Sequence, residues 1–532
     1  MNPETMVSFR CDDPALMKLY HEAESRCRRN LKDFGGDTVL VEGGGYRKIW
    51  LETQPMGGEM YALRNLQVGL NNSLMFMRHQ REDGRLPGSV RADGNKVIPE
   101  YNKVQGFCFP WHALNLYYLA GEDKAFLEEL RDTLVRFEGW LRRTRALEDD
   151  GLLRSFCVYD TGEDRAVRYG DAPCWWTEDT APEGYGVVPM ASMDVTSWSY
   201  ACRDTLRRIA RITGDTAGEE KWWKQAEETA RAIRKGLWNE ARGALFDRDR
   251  AGKPVDVLCH NTLRCMYWGS VSPAMADRFV REHLMNPDEF MTPFPLPSVA
   301  ANDPAFRNAP ENNWSGQPEG LTYQRAIRAL ENYGYEPLVT RLGDALMRAV
   351  IAGGYRFTQQ FDPFTGKPSL VHADTGAVLA PDDTASPVQD SYGPTMLAVL
   401  EYTAHRWGIH PHLDAVWFSL GSGPAVEYRA AFRNHDCRIE SDGRKARAEM
   451  DGKTVWEGAC GVRIIAGDDG AVRGILPIET GREGWTGYGE PADAAMVGGY
   501  EKKPAGDGRR AGKTGMPVDG RGNALPAGGL RI

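Results

Sequence analysis

No two cysteines in this 532-residue chain stand at the CxxC spacing of a redox or zinc motif, and the ten present are scattered from Cys11 to Cys460. In a chain this long, that scatter predicts reduced thiols rather than a disulfide framework. No run of about 18 apolar residues occurs, so no membrane span is expected. The opening MNPETMVSFRCDDPAL has no apolar core, so no leader is expected either, and a cytoplasmic location follows. Positive charge is in short supply. Lys and Arg number 65 against 74 Asp and Glu, a formal charge of −9 with no basic block, which argues against a nucleic-acid partner.

Short catalytic motifs are missing as well. There is no HExxH helix and no GxSxG elbow. GDGRRAGKT fails the phosphate-loop spacing because Asp507, not Gly, stands five before Gly512. Gly43, Gly44 and Gly45 lack the strand-turn-helix setting of a dinucleotide site. His405, His410 and His412 gather at a helix end and read as structural histidines, so neither metal nor cofactor is expected.

What the chain does have is helical periodicity. Apolar residues recur at helical spacing near 14–34, 60–77, 105–120, 123–145, 191–213, 217–238, 257–269, 273–285, 321–333, 336–352 and 391–408. Long loops rich in Gly, Pro and aromatics separate several of them. Beyond Trp407 the period changes to two: AVWFSLG, AVEYRAAF, CRIESDG, KARAEMDG, KTVWEGA and GVRIIAGDDGAVRGILPI are short alternating runs broken by DG turns. The expected division is a mainly α domain over 1–413, a small β-sandwich over 414–482, and a poorly ordered Gly/Pro-rich tail over 483–532.

The most informative stretch is Pro310–Tyr335, PENNWSGQPEGLTYQRAIRALENYGY, a polar aromatic loop feeding a helix with one apolar face. Trp beside amides and carboxylates suits a sugar, whose ring face stacks while its hydroxyls need paired donors and acceptors. The longer run PLPSVAANDPAF…NNWSGQPEGLTYQ…LENYGY resembles the PS-x-x-x-x-DP-x-F…WRGP-x-W-x-x-x-NY…L-x-x-YGY segment of the (α/α)6-barrel inverting glycoside hydrolases, the processing α-glucosidase, mannosylglycerate hydrolase and trehalase-like group. HQREDGRLPG resembles a loop of the same group. The resemblance implies a mainly α fold, an (α/α)6 toroid with its long loops and chemistry at one end, and a small carbohydrate, an α-glucoside or α-mannoside, as substrate.

Glycoside cleavage by inversion needs a protonated carboxyl at the leaving oxygen and a second carboxylate about 6.5–9.5 Å away to activate water. Gly162-Glu163-Asp164-Arg165-Ala166-Val167-Arg168 resembles the group's G-x-D-N-S-P-R motif, which implies Asp164 as general acid and Arg168 as a substrate or carboxylate clamp; Asp160 is the alternative acid. The group's base is a Glu before an aromatic-[DN]-P-x-TG turn, and here Gln359 occupies that place. An amide cannot take a proton from water. Glu319, where the group has a pocket Trp, is therefore expected as a relocated base, with Asp390 next. Asp194, Glu52, Arg64, Gln317, Tyr101 and Asn102 are candidate pocket polar groups, and Trp50, Trp175, Trp176 and Trp314 candidate stacking platforms. Two other readings stay open: an epimerase or lyase on the same toroid, for which Tyr169 and Tyr185 could shuttle a proton, and a silent sugar-binding protein, suggested by Gln359.

Overall fold

The change of period after Trp407 marks a real change of structure. The computed structural model describes residues 4–369 and 390–479. Among these lie twelve α-helices: α1 (Pro14–Arg29), α2 (Gln54–Tyr61), α3 (Leu66–Arg78), α4 (Pro110–Leu119), α5 (Lys124–Arg145), α6 (Met193–Thr213), α7 (Thr216–Gly236), α8 (Asn261–Trp268), α9 (Pro273–Phe279), α10 (Gly320–Glu331), α11 (Glu336–Ala352) and α12 (Gly393–Trp407). The even-numbered helices touch in a closed ring, α2 on α4, then α6, α8, α10, α12 and back to α2. Odd-numbered helices pack against this ring; α5 and α7 are amphipathic, with charged residues on their free faces. Ring helices are covered on all sides, and every residue of α2 is buried. A helix buried all round loses its polar stripe and with it the clean 3.6-residue period.

That loss explains the one helix the periodicity misses, α2. The stretch expected as a helix over 60–77 takes in only the end of α2 and then α3, which starts where Asn65 accepts a hydrogen bond from Val68 N (3.2 Å). Gly58 and Gly69 let α2 and α3 meet closely: a Cβ on Gly58 would stand 2.5 Å from Asn72 Cβ, and one on Gly69 2.8 Å from Gly58 O.

The β region holds two antiparallel sheets in contact with each other. One runs in the order Met6–Cys11, Val426–Phe432, His435–Ser441, Lys445–Met450, Lys453–Ala459; the other, Ile409–His412, Ala415–Leu420, Val462–Gly467, Val472–Pro477. All six alternating runs are strands. The first sheet also takes in Met6–Cys11 from the other end of the chain, and the second starts at Ile409, ahead of the expected boundary at 414. The expected tail lies outside the described residues.

Candidate active site

Loops that lead into the N-terminal ends of ring helices line a cavity of about 150 Å³. Glu42, Tyr46, Trp50 and Glu52 precede α2, and Lys103 and Gln105 precede α4. Tyr159, Gly162 and Asp164 lie ahead of α6, Asn312 and Trp314 ahead of α10, and Gln359 and Tyr392 ahead of α12.

Asp164 is held by the loop before α10. Trp314 N donates to Asp164 O (2.9 Å), Asn312 Nδ2 to Asp164 Oδ2 (2.6 Å), and Ser315 Oγ to Arg165 O (3.0 Å). Arg165 adopts φ 56°, a left-handed conformation that short polar side chains such as Asn tolerate best. Gln359 joins the same network: Nε2 donates to Asn312 Oδ1 (3.1 Å) and Oε1 accepts from Tyr46 OH (3.0 Å). The amide at the position expected for a base thus positions Asn312, which holds Asp164. Burial pushes Asp164 up to about 6, against the opposing pull of Asn312, Lys103 and Arg165.

Two further carboxylates share the cavity. Glu52 rests against Gly162 and takes hydrogen bonds from Gln105 Nε2 on Oε1 (3.2 Å) and from Arg325 Nη2 on Oε2 (3.3 Å). Burial pushes it up to about 7, offset by Arg325 and Arg264. Glu42, which the sequence reading missed, accepts from Tyr392 OH (2.9 Å). Burial and then the charge of Glu52 hold it well above the usual carboxylate range. Its one sequence signal is an acidic residue directly before the Gly43-Gly44-Gly45 triplet. Lys103 is shifted down by burial and lies 5.2 Å over the Trp50 ring, with Lys48 at 5.1 Å.

Gly162 shows how tightly this is built. A Cβ there would fall 1.8 Å from Glu52 Oε2, and φ is +73°. Gly162→Ala is expected to displace Glu52 and raise KM at least tenfold with little loss of secondary structure, on the order of the 1–3 kcal/mol such strain costs. Steady-state kinetics beside circular dichroism check this, and an unchanged KM would separate Glu52 from substrate.

Other expected residues are placed elsewhere. Glu319 does not line the cavity; its backbone pairs with Gln360, and its wholly buried carboxylate is raised well above its usual range by burial, with Asp164 and Glu52 adding to the shift. Asp390 is ion-paired with Arg26, accepts from Phe357 N (2.8 Å) and is not among the described residues that line the cavity. Asp160 is paired with Arg145 at 2.9 Å, whose charge keeps it below its ordinary value although burial opposes it. Arg168 clamps protein carboxylates, pairing with Glu163, Asp247 and Asp194, the last at 3.0 Å. Asp194 also meets Arg264 (2.9 Å) rather than the cavity. Arg64 pairs with Glu24 (2.7 Å), and Tyr101 OH donates to His79 O. Gln317 bonds Asn308 (2.8 Å), and Asn102 takes Trp176 N on its carbonyl. Trp175 is exposed, and Trp176 Nε1 donates to Thr180 O (2.8 Å), so neither lines the cavity. Tyr169, the lyase candidate, donates to Thr161 Oγ1 (3.2 Å) away from it. Trp50, Trp314, Glu52 and Gln359 line the cavity.

A family model, the mannosylglycerate hydrolase MGH1-like glycoside hydrolase domain, matches residues 59–376. The chain is similar to the GH63 mannosylglycerate hydrolase of Thermus thermophilus solved with glucose: identity is 16%, TM-score 0.56, and the match covers 73% of this chain and 100% of that one. It is also similar to the neutral trehalase of Saccharomyces cerevisiae, at 12% identity and TM-score 0.52, over 72% of this chain and 80% of that one. A sialidase structure matches at 14% identity and TM-score 0.65, over 87% of this chain and 41% of that one. No curated protein sequence matches.

Proposed function

The chain belongs to the mannosylglycerate hydrolase MGH1-like glycoside hydrolases, and on that premise we propose that it cleaves a small α-glucoside or α-mannoside by single displacement with inversion. We read the closed ring of even-numbered helices as the inner layer of an (α/α)6 toroid, and the two sheets as a sandwich. The division we propose is a helical unit from α1 to α12 and a β unit from Ile409 to Glu479 that includes Met6–Cys11. A cytoplasmic location is part of the proposal, supported by ten cysteines that are all free thiols.

One observation carries the catalytic reading: Asp164 shares a small cavity with two buried carboxylates, Glu42 and Glu52, and two tryptophans. In this scheme Asp164 protonates the leaving oxygen and Glu42 activates water. Glu52, engaged on both oxygens by protein donors, is a fixed acceptor for sugar hydroxyls. Trp50 and Trp314 offer ring faces. Glu42 is preferred to Glu319 because it lines the cavity. A second reading exchanges the roles. Asp164 at about 6 is the more acidic of the two, and Glu42 is held well above its usual range, which favours Glu42 as the proton donor.

The leaving group separates the two. Both need one proton shared between Asp164 and Glu42, so kcat/KM is lost as pH falls below about 6 in either case. On a glycoside with a dinitrophenolate leaving group, which needs no protonation, the variant that lacks the acid keeps most of its rate: Asp164→Asn in the first scheme, Glu42→Gln in the second. Product anomers followed by NMR on the natural α-glycosides test inversion, and Glu42→Gln should cost about 10²–10⁴-fold in kcat. Retention of configuration, or a fully active Glu42→Gln, would remove the scheme.

A further inference from the structure

Away from the cavity, three metal-ligating side chains meet where the helices join the β region. Glu401 and His405 are one turn apart on α12, and the chain turns back after Trp407 so that His410, on strand Ile409–His412, faces them. All three are buried. We propose that Glu401 Oε2, His405 Nε2 and His410 Nδ1 form a structural divalent-cation site of the zinc class, tying the last ring helix to the second sheet.

The spacing carries the argument. Glu401 Oε2 stands 3.7 Å from His405 Nε2 and 3.5 Å from His410 Nδ1, and the three ligand atoms lie within 4.8 Å of one another. These separations exceed the 2.7–3.2 Å of good hydrogen bonds to nitrogen. Among the described residues Glu401 Oε2 has no hydrogen-bond partner, a costly condition for a buried carboxylate oxygen. Ligands about 2.0–2.1 Å from one tetrahedral zinc sit roughly 3.3–3.5 Å apart, close to the two shorter edges here.

The surroundings fit as well. His405 Nδ1 lies 2.6 Å from Glu331 Oε1, and Glu331 is anchored by Arg463. Nδ1–H donating to a carboxylate fixes the tautomer that leaves Nε2 free to bind a metal. Arg463 Nη2, 3.0 Å from His405 O and 3.2 Å from Nδ1, neutralises Glu331 and stays on the Nδ1 side of the ring. Trp417 closes the other side, stacked on His412 at 4.0 Å. Two imidazoles and a carboxylate suit zinc, and burial at a junction of elements assigns the ion a structural task. The competing occupant is a proton on His405 Nε2 directed at Glu401.

The test uses the untagged full-length chain, since a histidine tag would carry its own metal. Elemental analysis is expected to find about one zinc per chain, and a chelator to lower the thermal midpoint until zinc is restored. Cobalt in place of zinc should give visible d–d bands. His410→Ala and Glu401→Gln should abolish binding, and Glu331→Gln should weaken it about 10–100-fold. Metal below about a tenth per chain, both as purified and after refolding with zinc, overturns the site in favour of the protonated cluster. So does full binding by both ligand variants, which would place the metal elsewhere. The wild-type measurements decide the matter even if a variant fails to fold.

Discussion

Replacing Asp164 by Asn is expected to lower kcat/KM about 10²–10⁴-fold on a natural glycoside and, at the same time, to make the protein more stable at neutral pH. The two effects have one origin. Asp164 has an ordinary value of 3.8 and is pushed up to about 6 by burial. Between those values the folded chain keeps a proton that the unfolded chain has released, so stability falls as pH rises through that window. At pH 7 the cost is on the order of 3 kcal/mol, which Asn removes. The variant should therefore melt higher than the parent at pH 7 and show little gain at pH 4. Activity gives an independent check. A glycoside with a dinitrophenolate leaving group needs no protonation, so the variant should recover most of its rate on that substrate if Asp164 is the acid. Equal losses on both substrates would move Asp164 to the base position, and no gain in melting temperature would mean its carboxyl is not strained by burial.

Asp164 lines the cavity, and the signal that singled it out was local, a motif in one loop. Residues that depend on distant partners were not legible in this way. Asp390 looked free in VQDSYGP, yet its partner is Arg26, at the other end of the chain. Arg168 looked like a substrate clamp, but Asp247 and Asp194 occupy it. A buried ion pair leaves no periodicity in either partner's sequence, so an unpaired charge in a loop and a paired one read alike. The same holds for the strands. Asp451-Gly452 announces its two-residue turn, both residues at positive φ. Arg433-Asn434 makes an equivalent turn, φ 51° and 63°, with only Asn as a hint. Met6–Cys11 alternates weakly and finds its register only against Val426–Phe432, a partner no local pattern names.

Arg168 is where the largest loss of stability is expected. Its guanidinium reaches Glu163, Asp194 and Asp247, with Arg264 completing the cluster 2.9 Å from both Glu163 and Asp194. Burial opposes charge on Glu163, yet Arg168 and Arg264 hold it well below its usual range, so the carboxylate is an anion because they are there. Arg168→Met keeps the volume and removes the charge, leaving one arginine to face three buried carboxylates. Breaking such a buried pair costs about 3–5 kcal/mol, because the remaining charges are uncompensated. The exposed pair Arg165–Glu311, 2.9 Å apart and linking this loop to the one before α10, is the control; Arg165→Met should cost under about 1 kcal/mol. Lys is not expected to rescue position 168, since one ammonium cannot reproduce the separate directions in which the guanidinium meets Asp247 and Glu163. Because Glu163 and Arg168 flank Asp164 in sequence, the loop should loosen before the whole chain unfolds, and kcat should fall at temperatures where circular dichroism is unchanged. Thermal unfolding of both variants, with activity followed through the ramp, tests this. Equal melting of Arg168→Met and wild type would mean that the cluster is held by Arg264 alone, and the position of Asp164 would then have to be credited to the Asn312 and Trp314 contacts.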